Sequence, residues 1–182
     1  MNKNQIGKPQ HCRSFRTIVS AALVALIALV GVCAASAQEK TDLKFRGGIG
    51  VIPVTGVAAN GLPALNIVRG INPAGPWRIA DLDASVSYDG RISVKGRGLL
   101  LAAGNGIGTN AGASVFATLF CGSATAASSH ISGRVALDVD GDFRIEDMLS
   151  PTPPTACDTP VLLIRNGAGS GVWFAAGIPE IK

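Results

Sequence analysis

Residues 79–98, "IADLDASVSYDGRISVKGRG", alternate apolar and polar side chains on both sides of one Asp-Gly pair. A period of two is typical of a β-strand that buries one face, and Asp-Gly favours a tight hairpin turn. With residues 88–90 as the turn, the pattern predicts these facing pairs: Val86 with Ile92, Ala84 with Val94, Leu82 with Gly96, Asp83 with Lys95, Asp81 with Arg97 and, at the base, Trp77 with Leu101. A slip of one residue would exchange the two faces, so the sequence specifies one register.

A second Asp-Gly pair lies in "ALDVDGDFRIED", residues 136–147. With residues 139–141 as the turn, the same reasoning predicts three facing pairs: Leu137 with Phe143, Val135 with Ile145 and Arg134 with Glu146. This register also puts Asp138 opposite Asp142, and two like charges in that position are unfavourable unless water or a cation screens them.

Short runs rich in Val, Ile, Leu and Phe recur along the chain between Gly, Pro, Asn and Asp residues. Long stretches with helical spacing of apolar residues are absent, so the pattern favours strands. The further strands expected are residues 44–56, 64–70, 114–121, 161–166 and 172–177, with Trp77 and Trp173 packed in the core. We therefore predict an all-β fold, a single antiparallel β-sandwich or small barrel of about eight strands, after an N-terminal signal helix.

The N-terminus has the pattern of an export signal. Four basic residues precede an apolar run at residues 17–35. Ala35 and Ala37 supply the small side chains that signal peptidase requires, which predicts cleavage before Gln38.

Cleavage there divides the chain into a signal peptide, residues 1–37, and a single all-β domain, residues 38–182. The domain is then periplasmic or extracellular; the alternative is a protein anchored in the inner membrane by residues 17–35. The four cations in excess all lie in the leader, which leaves twelve basic and twelve acidic residues in the domain. The domain has no run of Lys and Arg, so nucleic acid is not an expected partner, and a membrane is expected to be met only through the leader.

Two of the four cysteines, Cys121 and Cys157, lie in the predicted domain. An exported protein meets an oxidising compartment, and two cysteines allow only one disulfide. Closing this loop would stabilise the fold by about 4 kcal/mol at most in chain-entropy estimates. Two thiolates and one distant histidine are too few ligands for zinc.

The acidic turn raises a calcium hypothesis, with Asp138, Asp140 and Asp142 as ligands. Bound Ca²⁺ would remove the repulsion between the first and last of these carboxylates. The spacing departs from an EF-hand loop, because Gly141 is fourth rather than sixth and Leu149 stands where a bidentate Glu belongs. The alternative is a solvated hairpin tip, and no other cofactor is expected.

Residues 102–112, "AAGNGIGTNAG", resemble a phosphate-binding loop in their glycine content alone. The Gly-x-Gly-x-x-Gly spacing is not met, and a strand pattern follows where a helix is needed. We interpret the segment as a flexible recognition loop in which Asn105, Ile107, Thr109 and Asn110 are the candidate contacts. The proline-rich loop at residues 150–160 is a second candidate contact region.

The predicted domain has one histidine, His130, in "ASSHISG". Ser128 and Ser129 precede it, and a carboxylate from elsewhere could complete a triad. A Gly-x-Ser-x-Gly elbow is absent from the chain, so we expect a surface-loop histidine and assign no catalytic residue.

The blocks "IADLDASVSYDGRISVKGRGLLLAAGNGIGT", "DGDFRIEDML" and "PVLLIRNGAGSGVWFAAGI" resemble those of a group of short exported bacterial proteins with no assigned activity. The resemblance covers most of residues 38–182. It implies one exported β-domain and supplies no site residues.

These observations favour an exported, non-enzymatic β-domain, a binding or structural module of the cell envelope or medium, with an unidentified ligand or envelope partner. The alternative is a small secreted hydrolase that uses His130 with a nearby Ser and a carboxylate. A smooth surface with exposed apolar loop tips would favour the first function, and a deep pocket around His130 the second.

Intact-mass measurement of the exported product tests the leader and the disulfide together. We expect a chain that starts at Gln38 and is lighter than its reduced form by two hydrogen atoms. A product that retains residues 17–35 would show an uncleaved anchor, and an unchanged mass on reduction would show free thiols.

Overall fold

The computed structural model describes residues 42–169 and 171–180. The predicted signal peptide, residues 1–37, and the alternative anchor at residues 17–35 lie outside the described residues. Within the described ranges, no helix has the length and apolar character needed to span a membrane.

Eight strands form one antiparallel sheet, and four short strands form two small ladders. The large sheet contains β1 (Leu43–Gly50), β5 (Asp81–Val86), β6 (Arg91–Arg97), β8 (Ser114–Cys121), β9 (Ser128–Ala136), β10 (Phe143–Met148), β11 (Val161–Asn166) and β12 (Trp173–Pro179). The small ladders pair β2 (Val54–Val57) with β3 (Pro63–Leu65), and β4 (Trp77–Arg78) with β7 (Leu100–Leu101).

The large sheet curls into a nearly closed barrel. Its strand order is β10-β6-β5-β1-β12-β11-β8-β9, and all neighbours are antiparallel. The two edge strands, β9 and β10, are consecutive in the chain. A tight turn connects them, and one isolated bridge links the two chain segments further along. The prediction of an all-β, antiparallel sandwich or small barrel of about eight strands is therefore confirmed.

Apolar side chains fill the barrel interior. One row crosses four strands through Phe45, Ala84, Val94 and Ile145, which face one another in register and are buried. Eight strands enclose a space just wide enough for side chains. The largest fully buried residues are Phe45, Leu82, Ile92, Leu99, Leu119, Ile145, Leu162, Leu163, Ile164, Val51, Val94 and Val115, so the interior is a packed core. Trp77 and Trp173 are also buried, as predicted.

The first predicted hairpin, residues 79–98, is confirmed in register. All five pairs between β5 and β6 form, and Trp77 faces Leu101. On the charged face of this hairpin, one ion pair differs from the prediction. Arg97 binds Asp81 at 2.7 Å as expected, whereas the Asp83 carboxylate pairs with Arg46 of β1.

The second predicted hairpin is correct at its turn and wrong along its strands. The Asp138 amide donates to the Asp142 carbonyl at 2.9 Å, which closes the turn. Beyond the turn the strands separate: β10 pairs with β6, and β9 pairs with β8. The expected pairs of Leu137 with Phe143 and Val135 with Ile145 are therefore not formed.

Packing at Gly96 explains the change of partner. Phe143 faces Gly96 in the β6–β10 ladder, and a Cβ at that glycine would overlap the phenylalanine ring. Gly96 thus provides the space in which Phe143 is buried. Arg144, on the other face, binds Glu146 at 2.6 Å, which replaces the expected pair of Glu146 with Arg134.

The gap between β9 and β10 is bridged by a side chain. The Asp147 carboxylate accepts hydrogen bonds from the amides of Gly133 and Met148. These bonds, the Gly133 bond above all, lower the pKa of Asp147. Further along, Ile131 and Ser150 exchange two backbone hydrogen bonds of 2.9 Å. The seam of the barrel is therefore held by one carboxylate and one bridge rather than by a full ladder.

Antiparallel pairing sorts the loops to two ends of the barrel. One end, called the hairpin end because it carries the β2–β3 hairpin, contains residues 51–67, 98–113, 137–142, 167–169 and 171–172. The disulfide end carries residues 87–90, 122–127 and 149–160, and here Cys121 is bonded to Cys157, as predicted. The two candidate contact loops, residues 102–112 and 150–160, consequently lie at opposite ends.

Replacing Asp147 by Asn tests the carboxylate at the seam. Because the native pKa is lowered, the stabilisation is fully present above the unfolded-state pKa of about 3.9 and is lost as the pH falls through the native value. We expect Asp147→Asn to lower the free energy of unfolding at pH 7, and the difference from wild type to shrink steadily below about pH 4.

Urea unfolding at a series of pH values measures this difference. Asp140→Asn is the matched control, because the Asp140 side chain forms no hydrogen bond within the described residues. A deficit in Asp147→Asn that stays constant down to the most acidic pH would contradict the role of the charge.

Candidate functional site

His130 lies inside the barrel wall, and the expectation of a surface-loop histidine is wrong. The residue belongs to β9, faces Leu119 of β8, and is only 3% exposed. Its ring nitrogens have two partners. Nδ1 is 2.8 Å from the Pro151 carbonyl oxygen, and Nε2 is 2.8 Å from Ser128 Oγ.

The partners determine the tautomer of a neutral His130. A carbonyl oxygen only accepts hydrogen bonds, so Nδ1 carries the proton that binds Pro151. Nε2 is then the nearer acceptor for the Ser128 hydroxyl, at 2.8 Å, and the Cys121 carbonyl, at 3.4 Å from the same oxygen, is the competing one. This is the proton arrangement of a Ser–His catalytic pair, except that a backbone carbonyl occupies the position of the triad carboxylate.

Most of the glycine loop, residues 102–112, is engaged in holding its own shape. Asn110 Nδ2 donates to the Asp138 carbonyl at 2.8 Å, and its Oδ1 accepts from the Gly112 amide. Thr109 Oγ1 donates to the Gly106 carbonyl at 2.8 Å. Asn105 and Ile107 are exposed to solvent, Ile107 by 64%. Of the four predicted contact residues, two are therefore structural and two are available for contact.

The acidic turn is not arranged as a calcium site. Asp142 Oδ1 accepts a hydrogen bond of 2.9 Å from the Gly98 amide, so this carboxylate already has a backbone partner. Within the described part of the chain, no group of three or more His, Cys, Asp or Glu side chains is placed to hold a metal ion. Asp138, Asp140 and Asp142 thus do not converge as ligands.

A surface groove over β5, β6 and β10 is lined by charges of both signs. Its residues are Asp81, Asp83, Lys95, Gly96, Arg97, Asp138, Asp142, Phe143 and Arg144. Most of these charges already have partners, such as Arg97 for Asp81 and the Gly98 amide for Asp142. The groove is therefore better explained by the ionic face of the hairpin than by a ligand.

The β2–β3 hairpin is the feature that sequence reasoning missed. Its two strands pair only with each other in the described sheets. Val54 faces Leu65, and Val57 faces Pro63, so all four share one face. Val57 is 74% exposed and Leu65 is 54% exposed. The sequence has no charged residue from 47 to 68, which is the only signal that could have identified the segment.

The base of this hairpin is fixed to the barrel although its face is bare. The Trp173 indole Nε1 donates to the Asn66 carbonyl at 3.0 Å. The Asn66 amide donates to the Pro53 carbonyl at 3.0 Å, and the Val51 amide donates to the Phe174 carbonyl at 2.9 Å. The apolar face is thus held in a defined position at the hairpin end.

Other apolar tips lie at the same end. Val139, at the acidic turn, is 81% exposed, and Ile107 protrudes from the glycine loop. The glycine loop and the acidic turn are joined through Asn110. Exposed apolar groups that cluster at one end of a molecule are typical of an interaction surface.

Comparison with family models, with curated proteins and with solved structures finds no match for this chain. The resemblance to short exported bacterial proteins therefore stays a prediction.

Proposed function

We propose that this protein is an exported, non-enzymatic binding module that docks onto a protein partner through the apolar face of its β2–β3 hairpin. The observation that carries the proposal is the exposure of Val54, Val57 and Leu65 on a rigidly based, uncharged hairpin. The packed core of the barrel supports it, because the interior is occupied by side chains.

Energetics favour a covered state of the hairpin. A two-stranded ladder alone is marginally stable in water, and full burial of one Val or Leu side chain contributes about 1.5–3 kcal/mol. A partner that covers this face would therefore stabilise both the hairpin and the complex.

The chemistry of the hairpin indicates a protein partner rather than a bilayer. One face is apolar, whereas the other carries Thr55 and Asn66, whose polar groups bind nearby backbone carbonyls. Immersion in lipid would desolvate both faces, but a protein groove needs to cover only the apolar one. The acidic residues Asp138 and Asp140 at the same end would also be repelled by an anionic membrane surface.

Site-specific crosslinking in the native host tests this docking. A photoreactive side chain at position 57 is expected to give a discrete adduct with another protein, and one at position 95, an exposed site on β6, is the control. The purified partner is then expected to lose at least about tenfold in affinity for Leu65→Asp, which corresponds to about 1.4 kcal/mol, and to bind Lys95→Ala normally.

The hairpin variant is expected to fold as wild type does, since surface substitutions usually change the free energy of unfolding by less than about 0.5 kcal/mol. Equal binding of the partner to wild type and Leu65→Asp would contradict the proposal. Adducts between two copies of this chain, or flotation of the protein with vesicles through the hairpin, would replace the partner with a second copy or a lipid surface.

The Ser128–His130 contact favours a second candidate, a secreted serine hydrolase. The Ser128 hydroxyl would attack an acyl carbon while its proton moves to His130 Nε2, and the leaving group would take that proton before water releases the acyl group. Binding is the better-supported function, because the Pro151 carbonyl stabilises an imidazolium less than a buried carboxylate does.

A fluorophosphonate probe tests the hydrolase directly. This function predicts covalent labelling of wild-type Ser128, with loss of labelling in Ser128→Ala and a large decrease in His130→Gln. Ser129→Ala is the matched control and should label normally. A folded wild-type protein that stays unlabelled dismisses the hydrolase.

A further inference from the structure

Two arginines flank one aromatic ring on the outside of the barrel. Phe116 of β8 faces Arg134 of β9 on one side and Arg165 of β11 on the other. Cross-strand partners share a face of the sheet. The Arg134 Cζ lies 5.9 Å from the ring centre and the Arg165 Cζ 5.1 Å, both within cation–π range.

Neither guanidinium has a counter-ion in the described part of the chain. The ion pairs found there involve Arg46, Arg91, Arg97 and Arg144. Arg165 is partly buried, and this burial lowers its pKa. A desolvated cation without an opposite charge is unfavourable, so an anion beside Arg165 would be favourable, and the exposed Arg134 adds a second positive charge to attract it.

The hydrogen bonds of Arg165 hold its head in place and leave donors free. Nε donates to the Gly171 carbonyl at 2.6 Å, and Nη1 is 3.4 Å from Thr118 Oγ1. Nη2 has no hydrogen-bond acceptor among the described residues, and the N–H groups of Arg134 have none either. Free guanidinium donors match the oxygens of a carboxylate or phosphate.

Gly171 allows this arrangement. Its φ is +61°, and a Cβ there would lie 2.8 Å from Arg165 Nη2 and 3.6 Å from the Phe116 ring. A side chain at position 171 would therefore displace the guanidinium from the ring. Arg165 also faces Trp173 in the β11–β12 ladder, and Trp173 holds the base of the β2–β3 hairpin. The arginine pair therefore lies next to the hairpin end.

We propose that Arg134 and Arg165 form an oxyanion-binding site over Phe116. Its ligand is a single carboxylate or phosphate group that lies between the two guanidiniums. The site does not depend on the proposed docking through the hairpin, because small anions alone can occupy it.

Arginine Nε–Hε resonances of the isotope-labelled domain report on the site directly. We titrate acetate in one arm and inorganic phosphate in the other, with chloride adjusted to keep the ionic strength constant. The Arg134 and Arg165 signals are expected to shift and saturate in about the millimolar range. Tighter binding of acetate assigns an acidic peptide or protein side chain, and tighter binding of phosphate assigns a phosphorylated ligand.

Variants that remove one positive charge distinguish binding of the anion at this site from a general attraction of anions to surface cations. Arg134→Ala is expected to weaken binding at least fivefold; Arg134 is exposed, so the fold is retained. Gly171→Ala, which keeps both charges but displaces one, is expected to weaken it as well. Lys95→Ala removes an exposed cation on β6, outside the arginine pair, and should leave binding unchanged. Non-saturating shifts, or an equal effect of Lys95→Ala, would overturn the proposal.

Discussion

The filling of the barrel interior by apolar side chains is the constraint on which the rest of the structure depends. Each strand alternates, so one set of side chains points inward, and eight strands leave room for little else. Phe45, Leu82 and Ile164 are completely buried there. With the centre occupied, the surfaces left for contact with other molecules are the loops at the two ends and the outer face. The exposed hairpin and the arginine pair lie in those places.

Local sequence patterns were sufficient to predict strand pairing where strands adjacent in sequence are also adjacent in the sheet. The hairpin of residues 79–98 was predicted pair by pair, because one turn and one alternation determine both strands. The segment 134–146 has an equally clear pattern, yet only its turn survives. Its strands have partners distant in sequence, and a single glycine, Gly96, provides the space for Phe143. Because Gly96 is distant in sequence, the residues around Phe143 give no sign that this side chain will face a glycine.

The candidate sites were less predictable than the fold for the same reason. His130 has polar neighbours typical of a loop, yet it is buried, and its Nδ1 partner is the Pro151 carbonyl, which comes from a segment that the sequence does not link to it. Val54 and Leu65 look like core residues, since composition alone cannot show that their strands leave the barrel. Arg165 follows the apolar run of β11, and only the ladder reveals that it shares a ring with Arg134.

Native-state hydrogen exchange, resolved by residue, tests most directly whether the apolar hairpin stands outside the packed barrel. Amides of β8 and β11 are expected to exchange only through global unfolding, because both strands lie between two neighbours and are buried. Amides of β2 and β3 should exchange through local opening at a much lower free energy. Hairpin amides as protected as those of β8 would show instead that this segment is part of the packed core.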